Sequence, residues 1–269
     1  MLNLEWVLLF LLLGCVVGFM AGLLGIGGGG IMVPVLTSIF LLQGIPVENV
    51  VHLALGTSMA SIIATSISSL RAHHSNGGVL WKVFKSMTPG IIIGTFLATL
   101  FVSYISSFYL ALFFSILMAY VAIQMLLNKQ AKPTRGLDNN TRLLIAGGGI
   151  GAISAIVSIG GGSLTVPYLL RQNVDIKKAI GTSAAIGLPI SIVGTLGYII
   201  NGNGVESYSM GSYTFGYVNF PVVLLISTAS FFMAPYGVKL AHKLNISTLK
   251  KVFSVLLIIL SIKMLISVV

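Results

Sequence analysis

Gly25-Ile26-Gly27-Gly28-Gly29-Gly30-Ile31-Met32-Val33-Pro34 is a glycine run set between apolar segments, and the chain writes it twice. The second copy, Ser158-Ile159-Gly160-Gly161-Gly162-Ser163-Leu164-Thr165-Val166-Pro167, follows at an offset of 133 residues without a gap. Glycine loses more backbone freedom on ordering than any other residue, so such runs hold a regular helix poorly. Each run predicts a break between two apolar stretches, and a break written twice predicts a duplicated unit.

Outward from these runs the chain is almost uncharged. Of its 269 residues 56% are hydrophobic and 7% charged, and the mean hydropathy is +1.03. Soluble domains carry about 25% charged residues. The composition cannot clothe a water-facing surface and predicts an all-α polytopic membrane protein. Apolar runs long enough to span a bilayer fall at residues 4–24, 52–70, 86–105, 107–127, 143–159, 179–200, 220–238 and 249–269. These make eight transmembrane helices. Two shorter pieces, residues 31–42 and 164–170, each follow a glycine run. The second rises only about 10 Å as a helix and cannot cross alone, so both are read as half-helices. The N-terminus lacks the positive region of a signal peptide, and the first run is expected to be retained. Cys15 is the only cysteine, which excludes an intrachain disulfide and a multi-cysteine metal site. No metal or cofactor is expected.

The duplication extends beyond the glycine runs. Leu55-Gly56-Thr57-Ser58-Met59-Ala60 is echoed by Ile180-Gly181-Thr182-Ser183-Ala184-Ala185 at an offset of 125. The chain divides into repeat one (1–127), a linker (128–142) and repeat two (143–269). Charge relates the copies. Arg71, Lys82 and Lys85 follow the third segment of repeat one, whereas the matching loop 201–219 has no Lys or Arg. Arg171, Lys177 and Lys178 precede the third segment of repeat two, whereas the matching loop 43–51 has none. Cytoplasmic loops collect positive charge, so the repeats are expected to be inverted, with both termini on the non-cytoplasmic side. Of the 15 Lys and Arg residues only Lys263 then falls near the outer side, where a long side chain can snorkel. The net charge of +10 is thereby topological, and no nucleic-acid partner is expected. Inverted repeats with broken helices are a signature of secondary transporters, whose sites lie where the repeats meet.

The first run formally satisfies G-x-G-x-x-G, but a dinucleotide site needs a preceding strand and a placed acid, and neither is present. Two readings remain for the runs. One is close packing of a broken hairpin. The other is an anion site, because each short helix starts with free N–H groups and a positive dipole end. Pro34 and Pro167 are expected in the first turn of these helices, where a missing N–H costs little. The candidate donors are Gly28, Gly29, Gly30, Gly161, Gly162 and Ser163. Thr57, Ser58, Thr182 and Ser183 either bond their own helix or line the same site. His52, His73, His74 and His242 read as solvated residues at helix ends or in loops. Glu5, Glu48, Asp138, Asp175 and Glu206 all fall at ends or in loops. With no carboxylate in mid-membrane, the substrate is expected to be an anion rather than a cation. Gly14, Gly18 and Gly22, and Gly90 and Gly94, lie four apart and read as helix-packing faces.

The stretch Gly22-Leu23-Leu24-Gly25-Ile26-Gly27-Gly28-Gly29 through Val33-Pro34, the Gly56-Thr57-Ser58 echo, and Gly216-Tyr217-Val218-Asn219 resemble the TauE/SafE family of sulfite and organosulfonate exporters. The likeness runs from Gly18 to Leu265. It implies an eight-helix, multi-pass inner-membrane permease that exports sulfite, organosulfonates or related sulfur oxyanions, by alternating access and without chemistry on the substrate. A proton as coupling ion and a homodimer are both compatible with it. Open beside it are an anion channel and an uptake permease for another small organic anion. An intramembrane serine protease built on Ser163 lacks a histidine at a matching depth. Ser158 and Ser163 stand where repeat one has Gly25 and Gly30, so the two half-sites need not be equivalent.

Overall fold

The computed structural model describes residues 3–127, 136–202, 213–243 and 246–267. Ten helices follow in order: α1 (Leu4–Leu24), α2 (Gly29–Leu42), α3 (Val47–Ser75), α4 (Trp81–Val102), α5 (Ser107–Leu126), α6 (Asn140–Val157), α7 (Gly162–Leu170), α8 (Ile176–Asn201), α9 (Phe220–Lys243) and α10 (Ile246–Ile266). A small antiparallel hairpin, β1 (Thr214–Phe215) and β2 (Val218–Asn219), leads into α9. Residues 128–135 of the linker and 203–212 of the uncharged loop 201–219, Glu206 among them, lie outside the described residues.

Among the described residues seven helices are long and apolar enough to cross a membrane, and α10 has an apolar described part, Phe253–Ile266. Their outward faces are apolar too. On α4, Ile93, Leu97 and Phe101 are exposed while Met87, Ile91 and Val102 are fully buried. A helix apolar all round is one whose outer side meets lipid. The chain is a multi-pass membrane protein.

Small residues decide which helices approach closely. A Cβ on Gly14, Gly18 or Gly22 of α1 would fall 2.6, 2.4 and 2.0 Å from the carbonyl oxygens of Ile226, Ser230 and Ala234 of α9. The rising numbers on both helices make this pair parallel. On α4, Gly90 and Gly94 approach Leu144 O and Gly148 O of α6, each to 2.0 Å from a Cβ, again in parallel register. Between these pairs α3 lies against α8, and α5 against α10 through Ser115 Oγ, which donates to Ser261 O at 2.9 Å.

Among the described residues a helix is found at each expected apolar run, seven of the eight long and apolar enough to cross a membrane, and several begin earlier. α3 starts at Val47 and α8 at Ile176, because Pro46 and Asp175 provide the starts. Asp175 accepts from the N–H groups of Lys177 and Lys178. The short helices begin inside the glycine runs, at Gly29 and Gly162. Pro34 and Pro167 therefore sit in the second turn rather than the first, each depriving the carbonyl four residues earlier of its helical bond.

Two histidines are not solvated. His73 lies on α3, 1% exposed, and its Nε2 donates to Gly22 O at 3.1 Å. His52 is 3% exposed, stacks on Tyr217 at 4.9 Å, and donates from Nε2 to Val102 O at 3.1 Å. Each falls within a helix longer than its apolar core alone suggests. Asp138 is also buried, receiving Tyr168 Oη and Gln172 Nε2 at 2.9 Å each, with Arg142 at 3.5 Å.

Candidate functional site

The site is built where α1 and α6 stop. Gly25 caps α1 in the left-handed region (φ 69°), and Ser158 caps α6 in the same region (φ 49°). A non-glycine residue there costs about 1–2 kcal/mol, so Ser158 is held against its preference. Gly27 and Gly28 continue the turn at φ 75° and 84°, and the chain then re-enters helix as α2. In the second run Gly161 is right-handed at φ −47° and leads into α7.

The two runs cross in backbone contact. A Cβ on Gly27 would fall 2.4 Å from Gly160 Cα, and one on Gly160 would fall 2.5 Å from Gly27 Cα. On one flank Gly29 meets Ser158 O at 1.7 Å from a Cβ, and on the other Gly162 meets Gly25 O at 2.0 Å. Real Cβ atoms do not approach so closely. Gly29 and Gly162 are thus required by the crossing itself, not by their torsions.

The helix starts beside the crossing carry backbone donors that lie outside the helical ladder. Ile31 and Met32 both donate to Gly28 O at 3.1 Å, while in α7 Thr165 donates to Gly161 O at 2.9 Å. The N–H groups of the first helical residues, Gly29 and Gly30 in α2 and Gly162 and Ser163 in α7, lie before the first i−4 acceptor. They also carry the positive end of each helix dipole.

The other candidates divide. Thr57 Oγ1 accepts the N–H of Asn219 at 3.1 Å, and Thr182 Oγ1 accepts that of Leu80 at 2.9 Å. Each threonine thus fastens the chain just ahead of α9 or α4. Gly28 faces Val17 and Gly30 faces Met118 and Leu257, all apolar. Ser183 Oγ donates to Ile180 O at 2.7 Å and lies 3.3 Å from Gly25 O. Ser58 and Ser163 are buried, and neither hydroxyl has a hydrogen-bond partner among the described residues.

Beside the crossing lies a small cavity. Gly25 and Gly161 form its floor, Thr65, Ser66 and Ser69 of α3 one wall, and Ser183 with Ala184 and Gly187 of α8 the other. It leaves about 10 Å³ for water centres, the room of a single water. Of the ten candidates only Gly161 and Ser183 line it. No Asp, Glu, Lys, Arg or His side chain does. Ser69 Oγ is buried there without a partner among the described residues. Gly187 is what keeps the cavity open, since a Cβ on it would fall 2.9 Å from Ser66 Oγ and 3.8 Å from Gly161 N. Thr65, Ser66 and Ser69 are not among the sequence candidates. Their signal is the density of Ser58, Ser61, Thr65, Ser66, Ser68 and Ser69 on a membrane helix, all of them buried.

The arrangement offers neutral hydroxyl and N–H donors in an uncharged setting. Such groups can replace the hydration of a small oxyanion. A family model described as sulfite exporter TauE/SafE matches residues 10–264. The chain is 37% identical to a probable membrane transporter protein of Haemophilus influenzae, covering 97% of this chain and 98% of that one. It is 31% identical to a probable membrane transporter protein of Methanocaldococcus jannaschii, covering 93% and 91%. A probable membrane transporter protein of Bacillus subtilis is 28% identical over 73% of this chain and 78% of its own length. No solved structure matches the chain.

Proposed function

Because the chain belongs to the sulfite exporter TauE/SafE family, we propose that it is a secondary transporter exporting a small anion, a sulfite, organosulfonate or related sulfur oxyanion, across the cell inner membrane. The observation that carries this reading is the small uncharged cavity beside two half-helix starts, with Thr65, Ser66, Ser69 and Ser183 among the residues around it. Carboxylates would repel an anion, and fixed cations would hold it too tightly to release. Hydroxyl and N–H donors attract it without trapping it.

Alternating access is supported by how the halves are joined. The first helix of each half packs in parallel on the fourth helix of the other, α1 on α9 and α6 on α4. Paired residues recur at the sequence offsets. His73 donates to Gly22 O, and Tyr198 Oη donates to Ala155 O at 2.9 Å. Thr57 and Thr182 make matching bonds. Two inverted repeats, 1–127 and 143–269 around the linker 128–142, account for this pattern, with both termini outside by the charge argument. A cavity with room for no more than about one water favours a carrier over an open channel.

The test is flux in proteoliposomes. Sulfite, sulfate, thiosulfate, sulfoacetate and taurine are offered under imposed proton and voltage gradients. The expected result is saturable movement of at least one, weakened by Ser66→Ala and by Ser69→Ala. Saturable flux of none of them would overturn the reading.

A further inference from the structure

The cavity has a counterpart on the opposite face of the crossing, and there the chain is filled instead of empty. At the offset of 125 residues, Ala184 and Gly187 of α8 correspond to Met59 and Ile62 of α3, and Ser66 and Ser69 of α3 correspond to Ser191 and Gly194 of α8. Met59 lies against Gly194, its Sδ 3.0 Å and its Cε 3.3 Å from where a Cβ would stand. Met59 and Ile62 are both fully buried. Small residues thus leave room on one face, and large ones take it on the other.

The same face holds an unusual set of hydroxyls. Ser58, Ser154 and Ser158 are 0%, 1% and 0% exposed, and none of their hydroxyl oxygens has a hydrogen-bond partner among the described residues. At the sequence offsets they correspond to Ser183, Ala21 and Gly25 of the cavity wall. Those counterparts meet in the cavity, where Ser183 Oγ lies 3.3 Å from Gly25 O, and the relation between the repeats puts Ser58 in the matching place beside Ser154 and Ser158. Tyr198 touches Gly56, its Cβ 3.1 Å from where a Cβ would stand, and donates to Ala155 O at 2.9 Å. Ser154 and Ser158 lie one turn apart on α6, and Ser158 O abuts Gly29 at the crossing. Buried polar groups are nearly always paired, and a group of unpaired ones calls for an occupant.

We infer that Ser58, Ser154 and Ser158 form a second oxyanion half-site on the opposite face of the crossing, held shut in this conformation by Met59 and Ile62. The inference rests on the transport reading above. The hydroxyls that lack partners here gain one when the carrier turns and the anion faces the other way. Repeat two has serine where repeat one has Gly25 and Ala21, so this half-site relies on side-chain donors more than the cavity does. The unfavourable φ of Ser158 is consistent with a residue kept for its hydroxyl.

The test is sulfite flux measured from each face, in right-side-out and in inverted membrane vesicles. Ser58→Ala, Ser154→Ala and Ser158→Gly should each raise the half-saturating sulfite concentration on the face away from the basic loops. The expected change is about ten- to a hundredfold, with the value on the basic face unchanged. Ser158→Gly also relieves the backbone, so a folding defect is not its expected outcome. Met59→Ala removes only the plug and should lower the half-saturating concentration on the same face. Unchanged values in all four variants, or equal shifts on both faces, would overturn the inference while leaving transport intact. Loss of a sodium dependence with sulfite saturation unchanged would overturn it in favour of a cation site. Absence of sulfite flux in the wild-type protein would instead sink the transport reading and this inference with it.

Discussion

At the scale of single residues, the glycines of the two runs do different work although they look alike in sequence. Gly162 has a backbone carbonyl oxygen 2.0 Å from where its Cβ would be, whereas Gly161 has the Ile186 side chain at 2.8 Å and Ser183 O no nearer than 3.3 Å. Gly162→Ala must therefore push two backbones apart, costing about 1–3 kcal/mol or more. It should lower yield and thermal midpoint. Gly161→Ala needs the Ile186 side chain to yield and the Ser183 carbonyl to shift by only a few tenths of an ångström, and it should leave the protein folded while weakening anion binding. Thermal unfolding and anion titration of the two purified variants check this, and equal stability loss in both would contradict it. The break in the helices was legible from the glycine runs alone. Their mutual contact was not, because spacing along a chain says nothing about which backbone lies opposite. Thr57 and Thr182 illustrate the same limit. Their recurrence was visible, but their acceptors are spent on Asn219 and Leu80, which are remote in sequence. Thr182→Val leaves the Leu80 N–H unpaired and should cost about 1–3 kcal/mol, read as a lowered thermal midpoint.

At the scale of elements, each of α1 and α6 is fixed just before its break by a side chain from α3 or α8. His73 holds Gly22 O and Tyr198 holds Ala155 O. Tyr198→Phe keeps the ring and removes the donor. It should destabilise the protein by about 0.5–1.5 kcal/mol, and an unchanged thermal midpoint would remove this role. The short helices were readable from their length. Their starts were not, because a glycine that opens a helix and a glycine that breaks one look the same without the fold. His52 and His73 were misread for a related reason. His52 opens the apolar run and His73 lies three residues past its end, where sequence suggests a helix end and a loop, and the fold extends α3 past both and supplies buried partners.

At the scale of the whole molecule, the charge argument predicts sidedness. With Cys15→Ser as background, a cysteine at Glu48 should react with an impermeant thiol reagent from outside intact cells, and one at Lys132 should not. Labelling of both from one side would end the inverted-repeat reading. The uncharged cavity makes a second prediction. No titratable side chain lines it, so Glu5→Gln, Glu48→Gln and Asp175→Asn should retain substantial flux. Asp138→Asn should do so too, though with some loss of stability, since its carboxylate receives Tyr168 and Gln172. Abolished flux in a well-inserted variant would place the coupling group among these acids.

The exchange of helices between halves also bears on how the chain is made. α1 emerges first, with Gly14, Gly18 and Gly22 shaped to receive the backbone of α9, which is synthesised some two hundred residues later. Until then that groove faces lipid, and the first half waits with its seam open. α6, by contrast, finds α4 already inserted. Biogenesis is therefore lopsided: the late half closes at once, and its fourth helix then closes the early one. Neither half is a self-sufficient unit, so a chain cut in the linker should be recovered only when both fragments are made in the same cell.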